Sequence, residues 1–221
     1  MAPGIIKITT TKVDGDMHDE KNRQGLMECI GLSFSKLTTT EQVHGSAVHS
    51  VTADDAGRKI HGADGLVTDV PGLPLGIFTA DCVPVFLSEI NKRAVRKIGI
   101  LHVGWRGLCG GIIENGVSFF DKASNLFVHI GPHICERCYT VNSETGARFS
   151  AGYKNGRLDL AAEIKYRLKA AGVPSRNITC ANTDKMCTYH RQDLFYSYRR
   201  GDKKERMLSL IIRRNQYGKT N

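Results

Sequence analysis

The chain has 221 residues, 41% of them hydrophobic and 24% charged, which suits one soluble domain over residues 1–221 with a core of its own. Its formal charge of +9 is unevenly spread: residues 1–90 hold 7 basic and 12 acidic groups, residues 91–184 hold 14 and 7, and residues 185–221 hold 10 and 3. A basic second half fits a small anion such as phosphate, whereas nucleic acid is not expected as a partner, because no basic stripe interleaves with aromatics.

Residues 5–11 are rich in β-branched side chains and predict a strand, followed by a turn at Val13-Asp14-Gly15-Asp16. Leu26, Met27 and Ile30 share one side of a predicted helix over 19–31, stopped by Gly31. Short strands are expected near 37–43 and 47–52. The apolar stretch 75–80 ends in Asp81-Cys82, and 83–87 is another apolar run. Residues 94–103 predict a strand that delivers His102 at its far end. A helix over 107–120 follows, weakened by its glycines. Residues 125–130 predict a strand running into Gly131-Pro132. The cleanest helix covers 159–171, with Asp159 as cap, Leu160, Ile164 and Leu168 on one face, and Gly172-Val173-Pro174 as stop. Strands at 176–181 and 207–212 complete the chain. Strands and helices without a regular βαβ rhythm predict an α+β or mixed-sheet fold rather than a doubly wound one.

Other classes are set aside on the same grounds. The most apolar stretch, 73–87, is broken by Pro74, Asp81 and Pro84, so no membrane span or membrane partner is expected. Met1-Ala2-Pro3-Gly4 is not a basic segment leading into an apolar one, so no signal peptide is expected. Seven cysteines in a chain too large to need staples suit a reducing cytoplasm with free or metal-bound thiols.

Three distant stretches carry the most definite chemistry: Gln42-Val43-His44-Gly45, Thr79-Ala80-Asp81-Cys82, and His102-Val103-Gly104-Trp105-Arg106-Gly107. Each sets a soft metal ligand at a glycine-punctuated or strand-end position. Two imidazoles and one thiolate are three ligands, the number a catalytic zinc uses with a fourth position left open. Each of the three taken alone is more often a structural residue, and their spacing matches no local zinc pattern. Asp81 beside Cys82 is a candidate second acceptor or proton shuttle. Arg106 stands at a strand-to-helix junction, where free N–H groups favour an anion. Cys135-Glu136-Arg137-Cys138 reads as half of a structural zinc site or as a redox pair, with no second half evident.

These words occur with others in one order: Glu41 to Gly45, Ala63-Asp64-Gly65, Thr79 to Pro84, His102 to Gly107, Ile130-Gly131-Pro132 with Cys138-Tyr139, Leu158-Asp159-Leu160, Cys187-Thr188, and Phe195 to Arg200. The chain thereby resembles the laccase-domain or multicopper polyphenol oxidase family over about residues 20–213. Members are regarded as purine nucleoside phosphorylases with adenosine deaminase activity. The resemblance implies an αββα-like single domain, with mixed β-sheets packed in layers and helices outside. It implies a zinc held by His44, Cys82 and His102. Its implied active site lies around Asp64, Asp81, Arg106 and the segment 197–200, with Asp64 and Asp81 as candidate acid/base groups. Substrate contacts are implied for Arg199, Arg200, Tyr139 and Cys187, and Arg106, Arg199 and Arg200 are candidate phosphate donors. The implied partners are a purine nucleoside (adenosine, inosine, or methylthioadenosine) and phosphate.

The chain departs from the family in two places. The segment 11–22 replaces a Gly-Gly-Val-Ser loop and a Ser-Leu-Asn word with a short turn, and within 135–140 Cys135 stands in place of a usual glycine and Thr140 in place of the Glu that usually follows the Cys-Tyr pair. The copper label fits poorly, since a multicopper site needs many histidines in His-x-His pairs and this chain has eight histidines and no such pair. Two alternatives use the same residues: a cysteine hydrolase with Cys82 as nucleophile and His44 or His102 as base, and a metal-stabilised binding module without turnover.

Overall fold

The computed structural model describes residues 4–92, 94–181 and 184–214. The N-terminal residues used above to argue against a signal peptide lie partly outside them. The strands in chain order are β1 (Ile5–Thr9), β2 (Thr38–Glu41), β3 (Val48–Ser50), β4 (Lys59–His61), β5 (Gly65–Thr68), β6 (Leu75–Thr79), β7 (Val83–Asn91), β8 (Ala94–Val103), β9 (Leu126–Ile130), β10 (Tyr153–Lys154), β11 (Arg157–Leu158), β12 (Ile178–Cys180) and β13 (Met207–Arg213). The helices are α1 (Glu20–Cys29), α2 (Trp105–Cys109), α3 (Ile112–Ser118), α4 (Ser143–Gly146) and α5 (Leu160–Ala170). None of the helices is long and apolar enough to cross a membrane.

Two mixed sheets form the layers. One runs β1-β13-β6-β2-β4 and the other β12-β9-β7-β8-β5-β3, while β10 and β11 make a separate hairpin. The period-2 alternation of each strand decides what each layer buries. In β13, Leu208, Leu210 and Ile212 pack with Met17, Met27 and Leu37 on the α1 side, while Ile211 turns inward. Between the sheets, Leu75, Ile77 and Ile211 meet Leu66, Phe86, Ile98 and Ile100. On the far face of the second sheet, Val85, Leu87, Leu101 and Val103 pack against Ile112, Val117, Ile164 and Leu168 of α3 and α5. The order helix, sheet, sheet, helix is the layered α+β architecture expected.

Local chemistry explains the element ends. Asp159 accepts from Ala162 N–H at 2.9 Å and caps α5, and Asp19 accepts from Lys21 N–H at 2.9 Å to start α1. The helix expected over 107–120 is instead two. Gly111 takes a left-handed φ of 85°, which ends the first helix and starts the second on a new axis. Strands β4 and β5, the hairpin β10–β11 and the one-turn α4 were not anticipated. With two to four residues each, they offer no periodic pattern.

The interlayer core also aims the functional groups. Ile98, Ile100 and His102 alternate on one face of β8, so the same parity that buries two isoleucines between the sheets turns His102 to that side at the strand's end. Asp64 precedes β5 in phase with Leu66, and Cys82 precedes β7 in phase with Phe86. The pairs Gly65↔Leu101 and Pro84↔His102 bring these strand ends together. Replacing Ile100 by alanine should open a cavity between the layers and cost about 2–5 kcal/mol. Urea denaturation would measure it, and a loss below about 1 kcal/mol would mean the layers do not depend on this contact.

Candidate active site

Asp64 is the anchor. It is fully buried, and both its oxygens accept hydrogen bonds. Its Oδ1 accepts from His44 N–H at 3.0 Å and pairs with His102 Nδ1 at 2.8 Å, and its Oδ2 accepts from Val43 N–H at 3.1 Å and Gly45 N–H at 2.7 Å. Burial alone would raise this carboxyl, but the His102 bond and charge and the two backbone donors outweigh it and hold it below its ordinary range. Both oxygens of Asp64, a candidate acid/base group, are engaged within the fold. The carboxylate fixes His102 with Nδ1 as the donor, leaving Nε2 for the site.

The loop 42–45 is held at its other end by Gln42. The Gln42 amide donates to the Phe78 carbonyl at 2.7 Å and accepts from Phe78 N–H at 2.7 Å, extending the β2–β6 pairing by side chain. His44 then adopts a left-handed φ of 58°, which presents its ring toward His102. The two rings meet edge to face with centroids 4.8 Å apart.

His44, Cys82 and His102 bring their donor atoms within 4.8 Å of one another, with His102 buried, Cys82 half-buried and His44 exposed. Burial opposes the Cys82 thiolate, but His102 and His44 outweigh it and pull the thiol down to about 6. Burial likewise opposes the His102 imidazolium, and the Cys82 and Asp64 charges push it up to about 9. Electrostatics that favour an anion here also favour a metal cation in place of the proton. Gly104 keeps the space clear: a Cβ there would lie 3.1 Å from Cys82 Sγ and 3.4 Å from His44 Cδ2.

Asp81 sits on the crossover from β6 to β7 with a left-handed φ of 89°, rare outside glycine. Its Oδ1 accepts from Thr188 Oγ1 at 2.6 Å and its Oδ2 from Arg199 N–H at 2.7 Å. It lines the cavity, yet its oxygens are engaged in holding the segments 188 and 199 in place.

The triad opens into a cavity of about 1080 Å³. Phe34, Phe78, Trp105, Tyr139 and Tyr198 supply aromatic lining, and Arg23, Lys59, Arg106, Arg199, Lys203 and Arg206 supply positive charge. The Arg106 guanidinium lies 4.5 Å from the Trp105 ring centroid. Arg199 lies 5.0 Å from the Tyr139 ring and donates to the Thr140 carbonyl at 3.2 Å. Burial, joined by the charges of Cys82 and Asp81, pushes the Tyr139 phenol up to about 12, so it stays a donor.

Two expected substrate contacts lie elsewhere. Arg200 is absent from the cavity lining, because its guanidinium donates to the carbonyls of Thr188, Tyr189 and Phe195 and to Asp202. Cys187 is fully buried and grouped with Cys135, Cys138 and His190, outside the cavity. In exchange, His18 and Glu20 from the shortened segment 11–22 reach the cavity, as do Lys203 and Arg206. For Lys203 and Arg206 the legible signal was the excess of basic residues near the C-terminus, which names no particular residue.

Comparison with known proteins finds relatives in both sequence and fold. A family model described as "Multi-copper polyphenol oxidoreductase laccase" matches residues 7–214. The purine nucleoside phosphorylase YfiH of Escherichia coli (strain K12) is 33% identical over 206 residues, covering 90% of this chain and 82% of that protein. The purine nucleoside phosphorylase YlmD of Geobacillus stearothermophilus is 32% identical, covering 89% and 79%. The crystal structure of YlmD from that organism superposes with a TM-score of 0.86 at 30% identity, covering 97% of this chain and 93% of that one. A Bacillus licheniformis hypothetical protein, YfiH, gives 0.85 at 26%, covering 95% and 93%.

Asp64→Asn keeps the volume but cannot accept from all the donors that meet the carboxylate. Divalent-metal affinity of the cavity site should fall about 10- to 100-fold by chelator competition, and an unchanged affinity would remove Asp64 from the anchor role. The pH dependence follows by sign. A carboxyl held below its unfolded value of 3.8 stabilises the fold fully above that value, and the gain is lost as pH falls through the lower, folded one. Stability curves of parent and Asp64→Asn should therefore converge in acid, and parallel curves down to unfolding would contradict it.

Proposed function

The chain belongs to the multi-copper polyphenol oxidoreductase laccase family, and on that premise we propose that it is a zinc-dependent purine nucleoside phosphorylase with adenosine deaminase as a second activity. One observation carries the reading: two imidazoles and a thiol converge in a cavity that also gathers aromatic and basic side chains. The names of the relatives from Escherichia coli and Geobacillus stearothermophilus support it. The donor set of His44, Cys82 and His102 fits zinc, and Gly104 leaves room beside it. When bound, zinc supplies Lewis acidity toward a substrate oxygen or a water.

The chain's own residues supply the rest. In phosphorolysis the C1′–N9 bond breaks with its electron pair passing to the purine. A phosphate oxygen bonds to C1′, and the departing base takes up a proton. Arg106 and Arg199 hold the phosphate dianion by charge-assisted hydrogen bonds, within a lining that Lys203 and Arg206 make more positive. Phe78, Trp105 and Tyr139 offer ring faces and edges for the base, and the protonated Tyr139 phenol donates to a ring nitrogen or sugar oxygen. Adenosine and inosine are the proposed substrates, with methylthioadenosine as a third. The free state of all seven cysteines supports a cytoplasmic setting.

A second reading is favoured by one specific observation. Asp64, His102 and Cys82 lie in the order of an acid, base and nucleophile, with Asp64 Oδ1 at 2.8 Å from His102 Nδ1. This is the arrangement of a cysteine hydrolase acting on an amide or ester. A metal-bound thiolate is a ligand and not a free nucleophile, so metal content separates the two. A metal-stabilised binding module, the third alternative, would form no product.

Zinc-loaded protein given inosine or adenosine with phosphate should release free base and ribose 1-phosphate, and adenosine should also yield inosine. No change in either over long incubation would overturn the reading, and activity in metal-free protein abolished by a thiol alkylator would replace it with the hydrolase. Arg106→Lys and Arg199→Lys should each raise KM for phosphate about tenfold, the effect of a charged hydrogen bond of about 1.5 kcal/mol. Arg200→Lys should instead lower the melting temperature, because its donors hold backbone carbonyls. Phosphate saturation curves and thermal melts on the three variants check both expectations.

A further inference from the structure

Cys135-Glu136-Arg137-Cys138 has its second half across the fold. Cys187-Thr188-Tyr189-His190 lies against it, and the donor atoms of Cys135, Cys138, Cys187 and His190 are all within 4.8 Å of one another. Backbone contacts set the register. His133 and Cys187 form a parallel bridge, Thr188 N–H donates to the His133 carbonyl at 3.1 Å, and Cys135 N–H donates to Cys187 Sγ at 3.3 Å. Cys138 Sγ and His190 Nε2 stand 3.1 Å apart. Each half has two residues between its donors, a spacing that lets one short turn present both to a single ion.

We infer that these four residues form a second metal site, closed and structural, of the zinc-thiolate class. Bond lengths of about 2.3 Å to sulfur and 2.0–2.1 Å to nitrogen place tetrahedral donors about 3.5–3.8 Å apart. The observed separations need only small side-chain rotations to meet this. Three sulfurs and an imidazole select zinc over hard cations such as magnesium or calcium. Four protein donors leave no position for water or substrate, in contrast to the three-donor group at His44, Cys82 and His102. A disulfide would use two of the thiols and give His190 no role.

The ion ties together two segments that wall the cavity. Tyr139 follows Cys138 directly, and Thr188, which donates to Asp81, follows Cys187. Arg199 lies over Tyr139 and donates to the Thr140 carbonyl. The site thus acts as a clamp behind the cavity wall and takes no part in the reaction. It stands apart from the proposed activity, and its test reads metal content rather than turnover.

The experiment uses the full chain purified under reducing conditions with zinc, then dialysed free of excess ion. Elemental analysis should give about two zinc per chain for the parent and about one for Cys82→Ala. His190→Ala, a change at an exposed residue, should also hold about one, and the double variant close to none. Cobalt loaded into Cys82→Ala should show tetrahedral d–d bands and sulfur-to-cobalt charge transfer of three-thiolate intensity, both lost on adding Cys138→Ser. EDTA should lower the melting temperature of Cys82→Ala but not that of the double variant. Folded Cys82→Ala that holds no metal would overturn the inference. So would a disulfide among Cys135, Cys138 and Cys187 in protein kept reduced, or cobalt spectra unaffected by the Cys138 and His190 changes.

Discussion

The site depends on one buried carboxylate. Asp64, itself fully buried, takes three backbone donors from the loop 43–45 and one imidazole donor from the end of β8. A buried carboxylate is costly unless every lone pair finds a partner, and this one is nearly saturated. Removing any partner leaves the charge less compensated, so the loop and the strand end are coupled through it. His44 and His102 are 58 residues apart in the chain, yet their relation is set by a single residue to which both are bonded. The arrangement of the two imidazoles is thus fixed by hydrogen bonds of the fold itself.

A second constraint is the crossover between layers. The chain leaves the first sheet at Thr79, passes Ala80, Asp81 and Cys82, and enters the second at Val83. Within this three-residue link Asp81 takes the left-handed conformation. His44 does the same beside it. Non-glycine residues in this region carry strain that neighbours must hold, and here Asp64, Thr188 and Arg199 supply the holding bonds. Glycine would adopt either backbone more easily. At both positions the side chain is itself engaged: the His44 ring stands with His102 and Cys82, and Asp81 is a double acceptor.

Much of the fold was legible because long strands and helices carry periodic signals. β8 and α5 lie almost where alternation and i, i+4 spacing placed them, and Asp159 caps as expected. The metal-ligand candidates stood out for a different reason: each lies at a strand end or beside glycine, where a chain can hold a side chain open. What was hidden is long-range register. Nothing local tells Asp64 from any acidic turn residue, because its four partners lie 19 to 38 positions away. Arg200 looked like an anion donor beside Arg199, but three carbonyls of its own segment capture its guanidinium. No second half for Cys135 and Cys138 was evident in the sequence, because Cys187 and His190 lie about 50 positions on and only the fold, through the bridge between His133 and Cys187, sets them alongside.

The charge asymmetry of the chain acquires a location in the fold. Residues 185–221 hold 10 basic against 3 acidic side chains, a pattern equally suited to a solvated surface or to an anion site. Of these, Arg199, Lys203 and Arg206 line the cavity and Arg200 braces its wall. Arg23 and Lys59 come to the same space from the acidic first half. Lining acids are fewer, and both oxygens of Asp81 among them accept hydrogen bonds from the fold. A low-dielectric cleft lined by one sign of charge concentrates its field, so clustering here acts more strongly on an entering anion than the same residues would on an open surface. The net charge of the whole chain could not have separated these two readings. The placement of its cations around a thiolate–imidazole group favours the anion site.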